Sequence, residues 1–238
     1  MLPPGGGGSL LAVARPVSDQ TFFVRMGLLL LALIVGGFGG RALRHHEELS
    51  PTAAVVVPHV LTIGAWFVLL PLQAYWIGRG RRRLHRLIGY ASVPLAIALL
   101  WTGGLVMASN YRLKHDAPLV LFNLINLVQF VGLFTAALLT VRRPAVHKRL
   151  MLWASIAMMP PALVRLMQAV SLPEALTVLP IVALWVPCLR HDRATLGRVH
   201  ATTWCTIAVI AFGIAIGGPI GFGGWWAELV ERWLGSGA

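Results

Sequence analysis

Three histidines stand where a cluster of basic residues meets a long apolar run. They are His85 in GRGRRRLHRLIGYA, His147 in VRRPAVHKRLMLWA and His200 in RATLGRVHATTW. The start of a helix presents unpaired N–H groups and the positive end of the helix dipole, which attract anions. Three such starts predict a site for a lipid headgroup, a haem propionate or a carboxylate, with Arg86 and Arg149 as headgroup ligands. The alternative is that these side chains only reach the headgroups at the membrane surface.

A fourth histidine, His59, lies inside an apolar run together with Gln73. At 100° per residue, the helical steps between them return to within about 40° of one direction. Polar residues inside a membrane are costly and usually face a cavity or another helix. His59 is therefore a candidate haem or metal ligand or a proton-transfer group, with Gln73 as a second cofactor-binding residue and Trp66 lining the pocket. The alternative is a histidine that only bridges two helices.

A b-type haem held by two histidines needs both at the same depth of the membrane. His59 is predicted near one end of the bundle and the three boundary histidines near the other, so one haem cannot use all four. The pair must come from the three boundary histidines, or join His59 to His45, His46 or His115. The predicted cofactor-binding residues are His59, Gln73, His85, His147 and His200.

Asn123 and Asn126 add polar groups to the fourth apolar run. They are predicted to line the same cofactor pocket. The alternative is that they cross-link helices by hydrogen bonds, which contribute about 1 kcal/mol each in a membrane.

The composition indicates a membrane protein. Of the 238 residues, 57% are hydrophobic and 12% are charged, and the mean hydropathy is +0.76. Soluble domains carry about 25% charged residues. The net charge of +12 sits in short clusters between apolar runs, which is the distribution of a membrane protein and not of one that binds nucleic acid.

Seven apolar runs approach or exceed the roughly 20 residues needed to cross a membrane. They cover about 21–40, 52–78, 87–108, 117–141, 149–170, 173–190 and 200–222. Pro160 and Pro161 predict a kink in the fifth run, because proline removes a backbone hydrogen bond. Whether the short sixth run crosses fully is left open. The predicted fold is all-α: a polytopic membrane bundle of about seven transmembrane helices over residues 21–222.

The charged residues predict the orientation. The N-terminus and the loops after the second, fourth and sixth runs carry 14 basic residues and two acids, whereas the other loops carry five and six. By the positive-inside rule the N-terminus is cytoplasmic and the C-terminus outside. The expected location is the bacterial plasma (inner) membrane, and the expected partners are anionic lipid headgroups on the cytoplasmic face.

The two ends of the chain differ from the bundle. Residues 1–20 contain four consecutive glycines and are predicted to be a flexible tail, followed by a retained membrane helix because no signal-peptide cleavage pattern is present. Residues 223–238 place Trp225, Leu229 and Trp233 at helical spacing opposite charged residues. This pattern predicts an amphipathic helix at the outer interface of the membrane.

The segments LHRLIGYA and VHKRLMLWA resemble the His-Arg-x-x-Gly and His-Lys-Arg-Leu-Met motifs of a bacterial family of uncharacterised multi-span membrane proteins. The resemblance covers roughly residues 55–170 and includes PHVLTIGAWFVLLPLQAYWIGRGRRRLHRLIG, where a histidine within a helix is followed by a glutamine and a basic loop. The resemblance implies the fold and the membrane location, and it implies no activity.

The predicted function is a redox role, with a b-type haem or a quinone bound between helices. Two alternatives stay open: an accessory or assembly subunit of a larger membrane complex, and a transporter of a small or lipid-like substrate. The only lysines, Lys114 and Lys148, lie in predicted loops, which excludes a retinal Schiff base. The sequence also lacks a Walker loop, an HExxH motif and a CxxCH haem-attachment site.

Overall fold

The computed structural model describes residues 19–40 and 53–235, and the regular elements in these ranges are all helical. The helices are α1 (Asp19–Ile34, extended by a π-helical turn at Val35–Gly39), α2 (Ala53–Gly78), α3 (Arg82–Lys114), α4 (Ala117–Leu139), α5 (Pro144–Ala157), α6 (Pro160–Ala169), α7 (Val178–Ala183, after a 3-10 turn at Glu174–Thr177), α8 (Trp185–Leu196), α9 (Ala201–Gly221) and α10 (Gly224–Val230, followed by a π-helical turn at Glu231–Gly235).

Six helical stretches are each long and apolar enough to cross a membrane, and α5 with α6 makes a seventh when the two form one bent span. The protein is therefore an all-α, multi-pass membrane bundle, as predicted. The limits agree closely except in the third, fifth and sixth spans. The fifth begins at Pro144, five residues before its predicted start. Helix α3 runs for 33 residues, about 50 Å at 1.5 Å per residue, so it extends beyond the roughly 30 Å hydrocarbon layer. The sixth stretch continues to Leu196, six residues past its predicted end.

The fifth span is broken at the predicted place. Helices α5 and α6 meet at 44°. Pro160 and Pro161 lack the N–H groups that would bond the carbonyls one turn earlier. Met158 and Met159 instead donate to the carbonyls of residues three positions back, at 3.2 and 3.0 Å. These shorter-range bonds tighten the last turn and turn the chain.

The sixth span is interrupted once, at Leu184, between α7 and α8. Pro187 has no N–H group to donate to the carbonyl of Ala183, which breaks the regular helical bonding. The N–H of Leu184 is shared between the carbonyls of Pro180 and Ile181, at 3.1 and 3.2 Å. The stretch nevertheless remains one candidate span from Glu174 to Leu196.

Aromatic side chains fill the centre of the bundle. Trp66 of α2 is 2% exposed and meets the rings of Phe130 and Phe134 edge-on, at centroid distances of 4.9 and 5.3 Å. Its indole N–H donates to the hydroxyl of Ser155 at 3.1 Å. Trp66, predicted to line a cofactor pocket, therefore lies in the packed core and connects α2 to α5.

Glycines allow α9 to approach α4 closely. Gly213, Gly217 and Gly221 recur every four residues and lie against α4. A Cβ atom at Gly217 would lie 2.5 Å from Cε1 of Phe122, whereas one at Gly218 would meet nothing within 4 Å. This spacing of small residues is typical of close helix pairs in membranes.

Helix α10 packs on the end of the bundle where α3 finishes and α4 begins. Trp226 and Val230 are buried there, and the Trp226 indole donates to the carbonyl of Ala117 at 2.8 Å. Tyr111 donates to Glu231 at 2.5 Å. On the opposite face Trp225, Leu229 and Trp233 are exposed. An amphipathic helix at the outer interface of the membrane stays a prediction. Residues 236–238 of that predicted helix, residues 1–18 of the predicted tail, and His45 and His46 lie outside the described residues.

Candidate ligand site at the basic end

The basic end of the bundle is defined here as the end where α2, α4 and α8 finish and α3, α5 and α9 begin. His85 and His147 lie in the first turns of α3 and α5, and His200 caps the start of α9. All three boundary histidines therefore lie at this end. Each has its own hydrogen-bond partner.

His85 contacts Gln73. With its amide oriented so that both polar atoms find partners, Gln73 donates to the carbonyl of His85 at 3.1 Å and to its Nδ1, and it accepts from the N–H of Gly89 at 3.2 Å. Gln73 therefore links the end of α2 to the first turns of α3 by hydrogen bonds. Arg86, the neighbour of His85, is exposed.

His147 and His200 are held by the backbone. Nδ1 of His147 donates to the carbonyl of Ala137, at 2.8 Å, which ties α5 to the end of α4. Nδ1 of His200 accepts from the N–H of Thr202 at 3.1 Å, so the neutral imidazole caps α9. Burial, followed by the nearby Arg149 cation, lowers the pKa of His200 below its ordinary value. Both effects favour the neutral ring that accepts this bond.

Arg149 forms a buried ion pair with Asp192. Their side chains are 5% and 3% exposed. Nε and Nη2 of Arg149 both donate to Oδ1 of Asp192, the first at 3.0 Å. The other carboxylate oxygen, Oδ2, accepts from the hydroxyl of Thr203 at 2.6 Å and from the N–H of His200 at 3.0 Å. One carboxylate therefore joins α5, α8 and the start of α9.

A second polar network uses Lys148 and His191, the sequence neighbours of Arg149 and Asp192. Asp19, at the start of α1, lies with Oδ1 3.0 Å from Nε2 of His191, and its Oδ2 accepts from the ammonium of Lys148. The ring of Phe22 stacks flat on His191 at a centroid distance of 3.9 Å and an angle of 2°. Asp19 is thereby held by α5 and α8 together.

A groove opens beside this second network, between α1 and α8. Its volume is about 400 Å³. It is lined by Phe22 of α1 and by Val186, Pro187, Arg190, His191, Ala194 and Thr195 of α8. The α8 residues form two rows with a spacing of four, so they share one face of that helix. The groove therefore has an apolar wall and two polar groups, the guanidinium of Arg190 and the imidazole of His191.

His59 lies away from the basic end and contacts α3. Its Nδ1 is 3.2 Å from the hydroxyl of Thr102, which also lies 3.1 Å from the hydroxyl of Thr62. Gly103 leaves room for the ring, since a Cβ atom there would be 3.4 Å from Cε1 of His59. His59 therefore bridges two helices. Its assignment as a cofactor ligand stays a prediction.

The two asparagines of α4 are half-buried. Asn123 borders a shallow crevice that also contains Tyr111 and Asp116. One turn beyond them, the amide of Gln129 donates to the carbonyl of Val209 at 2.9 Å, so this face of α4 makes a polar contact with α9. Asn123 and Asn126 as pocket-lining residues stay a prediction.

Asp19, His191 and Asp192 were not predicted to form contacts from the sequence. The two aspartates are the two acids among the predicted loop charges, and His191 was not a predicted site residue. A signal was nevertheless present: Lys148-Arg149 and His191-Asp192 are adjacent pairs of complementary residues. The pairing joins residues 43 positions apart, so only the folded bundle identifies it.

The described residues contain no group of three or more histidine, cysteine, aspartate or glutamate side chains that would hold a metal ion. The bis-histidine haem hypothesis needs only two such ligands. In comparisons with known proteins, the chain matches no family model, no curated protein and no solved structure.

Proposed function

We propose that the chain is a multi-pass protein of the bacterial plasma membrane that binds a quinone in a redox role, in the groove between α1 and α8. The observation that carries the proposal is the Asp19–His191 pair at the edge of an apolar groove. A quinone combines a long apolar tail with a ring that has two polar oxygens. An apolar wall ending in polar side chains is complementary to such a molecule.

The size and the polar groups of the groove support a small ring-shaped ligand. The volume of about 400 Å³ lies within the range of roughly 300–1,000 Å³ for small-molecule sites. Arg190 and His191 are neighbours in sequence and both line the groove. They offer two separate hydrogen-bonding groups to the oxygens of a quinone ring.

The excess of basic residues supports a cytoplasmic position for the basic end. Anionic lipid headgroups are the proposed partners there. Arg86 is exposed and suits that contact, whereas the guanidinium of Arg149 is buried and bound by Asp192. We therefore assign headgroup contacts to exposed arginines such as Arg86 rather than to Arg149.

A b-type haem is the second candidate, and one observation favours it. Nδ1 of His147 donates to the carbonyl of Ala137, which leaves the lone pair of its Nε2 free for a metal. Metal-bound histidines use this arrangement, in which a partner fixes one nitrogen and the other binds the metal. His147 would be one axial ligand. His85 would be the other only with the proton on Nδ1, whereas its Nδ1 accepts from Gln73.

The test is to purify the full chain in mild detergent and to quantify quinone in an organic-solvent extract. We expect quinone at close to one molecule per protein. His191→Ala removes the imidazole and the hydrogen bond that it offers, so the content should fall roughly three- to tenfold. Arg190→Ala, at an exposed position of the groove, should lower it as well.

His115→Asn is the matched control. His115 is an exposed histidine next to α10, with a positive φ of 49° that asparagine tolerates, and quinone content should be unchanged. Circular dichroism should show equal helix content in all variants. Absence of quinone would contradict the proposal. A Soret band that sharpens on reduction would replace quinone by haem, and a colourless, quinone-free protein would leave the accessory and transport functions.

A further inference from the structure

Asp19 determines which nitrogen of His191 carries the proton. Nε2 lies 3.0 Å from Oδ1 of Asp19, and an ionised carboxylate can only accept a hydrogen bond. The ammonium of Lys148 binds the other oxygen and stabilises the ionised form. In the neutral imidazole the single proton therefore sits on Nε2. Nδ1 is left with a lone pair, which makes it a hydrogen-bond acceptor.

The packing around His191 keeps this arrangement in place. Phe22 covers one face of the imidazole, with the two rings almost parallel. Within residues 19–40 and 53–235, Asp19 is the one hydrogen-bond partner of the ring. His191 also lines the groove. The polar atom that the ring offers to a ligand is therefore an acceptor and not a donor.

The two redox forms of a quinone differ in this respect. The oxidised ring has two carbonyl oxygens, which only accept hydrogen bonds, whereas the reduced ring has two hydroxyl groups, which also donate. Arg190 donates to an oxygen of either form, so it does not distinguish them. Only the hydroxyl of the reduced ring is complementary to Nδ1 of His191.

We propose that the groove binds the hydroquinone form of its ligand in preference to the oxidised quinone, because Nδ1 of His191 accepts a hydrogen bond from the ligand hydroxyl. This inference rests on the proposed quinone function. It adds a preferred redox state and the residue, Asp19, that sets it. Asp19 is a positioning residue, since it acts on the ligand through His191.

Asp19→Asn provides the sharpest test. Lys148 donates to one side of residue 19, so the amide oxygen of asparagine should face Lys148 and its NH2 group should face Nε2 of His191. The proton of the neutral imidazole then moves to Nδ1, which becomes a donor. The preference should reverse toward the oxidised quinone. A purely structural role for Asp19 would weaken both forms equally.

The measurement is isothermal titration calorimetry with the purified full chain in detergent, without oxygen, at mildly alkaline pH. The probes are a decyl-tailed benzoquinone and its hydroquinone. Wild type should bind the hydroquinone roughly three- to tenfold more tightly, the difference made by one hydrogen bond. Asp19→Asn should bind the oxidised form more tightly by a similar factor.

A third probe keeps the test independent of the variant's stability. The dimethyl ether of the hydroquinone has the same ring and tail without the O–H groups, and wild type should bind it as weakly as the quinone. Equal binding of both redox forms, or tight binding of the ether, would overturn the redox preference and leave the quinone site intact. Failure of all three probes to bind would overturn the quinone site itself.

Discussion

Replacing Asp192 with alanine should destabilise the protein by about 3–5 kcal/mol, the usual loss when one partner of a buried ion pair is removed. The variant leaves the guanidinium of Arg149 buried without its carboxylate, and it removes the acceptor used by Thr203 and the N–H of His200. Helices α5, α8 and α9 therefore lose the carboxylate that joins them. The measurement is unfolding of the purified protein in detergent by heat or denaturant, followed by circular dichroism.

Two further variants isolate the cause of this loss. Glu228→Ala removes an acid whose side chain is 71% exposed and paired with Arg232, and it should change the free energy of unfolding by less than about 1 kcal/mol. Removing both charges, as Arg149→Met with Asp192→Ala, should recover part of the loss, because no unpaired charge remains buried. An Asp192→Ala variant as stable as Glu228→Ala would contradict the structure of the basic end.

Leucine at Gly217 should separate α9 from α4 and cost about 1–3 kcal/mol, the usual effect of overpacking. Even the first side-chain atom would lie 2.5 Å from the ring of Phe122. Gly218→Leu is the matched control, because the adjacent position faces open space and the loss of glycine in a helix is favourable. The readout is the same unfolding experiment. Equal stability of the two variants would show that the glycine contact between α4 and α9 is absent.

The spans were predictable because one physical requirement determines them. A membrane-crossing helix needs about 20 apolar residues, and the sequence contains seven such runs. The break before Pro160 was also predictable, since a missing N–H group is a local property of the chain. The length of α3 was not predictable from the sequence. Its ends contain Arg82 and Lys114, and polar residues carry no hydropathy signal that distinguishes a helix from a loop.

The candidate site was predictable only in part. Sequence patterns placed three histidines at one end of the bundle, but they gave no information on which side chains meet there. Asp192 was counted as a loop charge, whereas it is 2% exposed. Its burial depends on Arg149 from another helix, and such pairing is a property of the folded bundle. The groove depends in the same way on the contact between α1 and α8.

Photo-crosslinking with an azido-quinone would test the proposed ligand site most directly. The full chain in detergent is labelled under light, digested, and mapped by mass spectrometry. The proposed site predicts label on Phe22 and on residues 186–195, the two walls of the groove, and predicts that excess unlabelled quinone prevents it. Saturable label near His85 and His147, near His59, or nowhere in the chain would contradict a quinone site between α1 and α8.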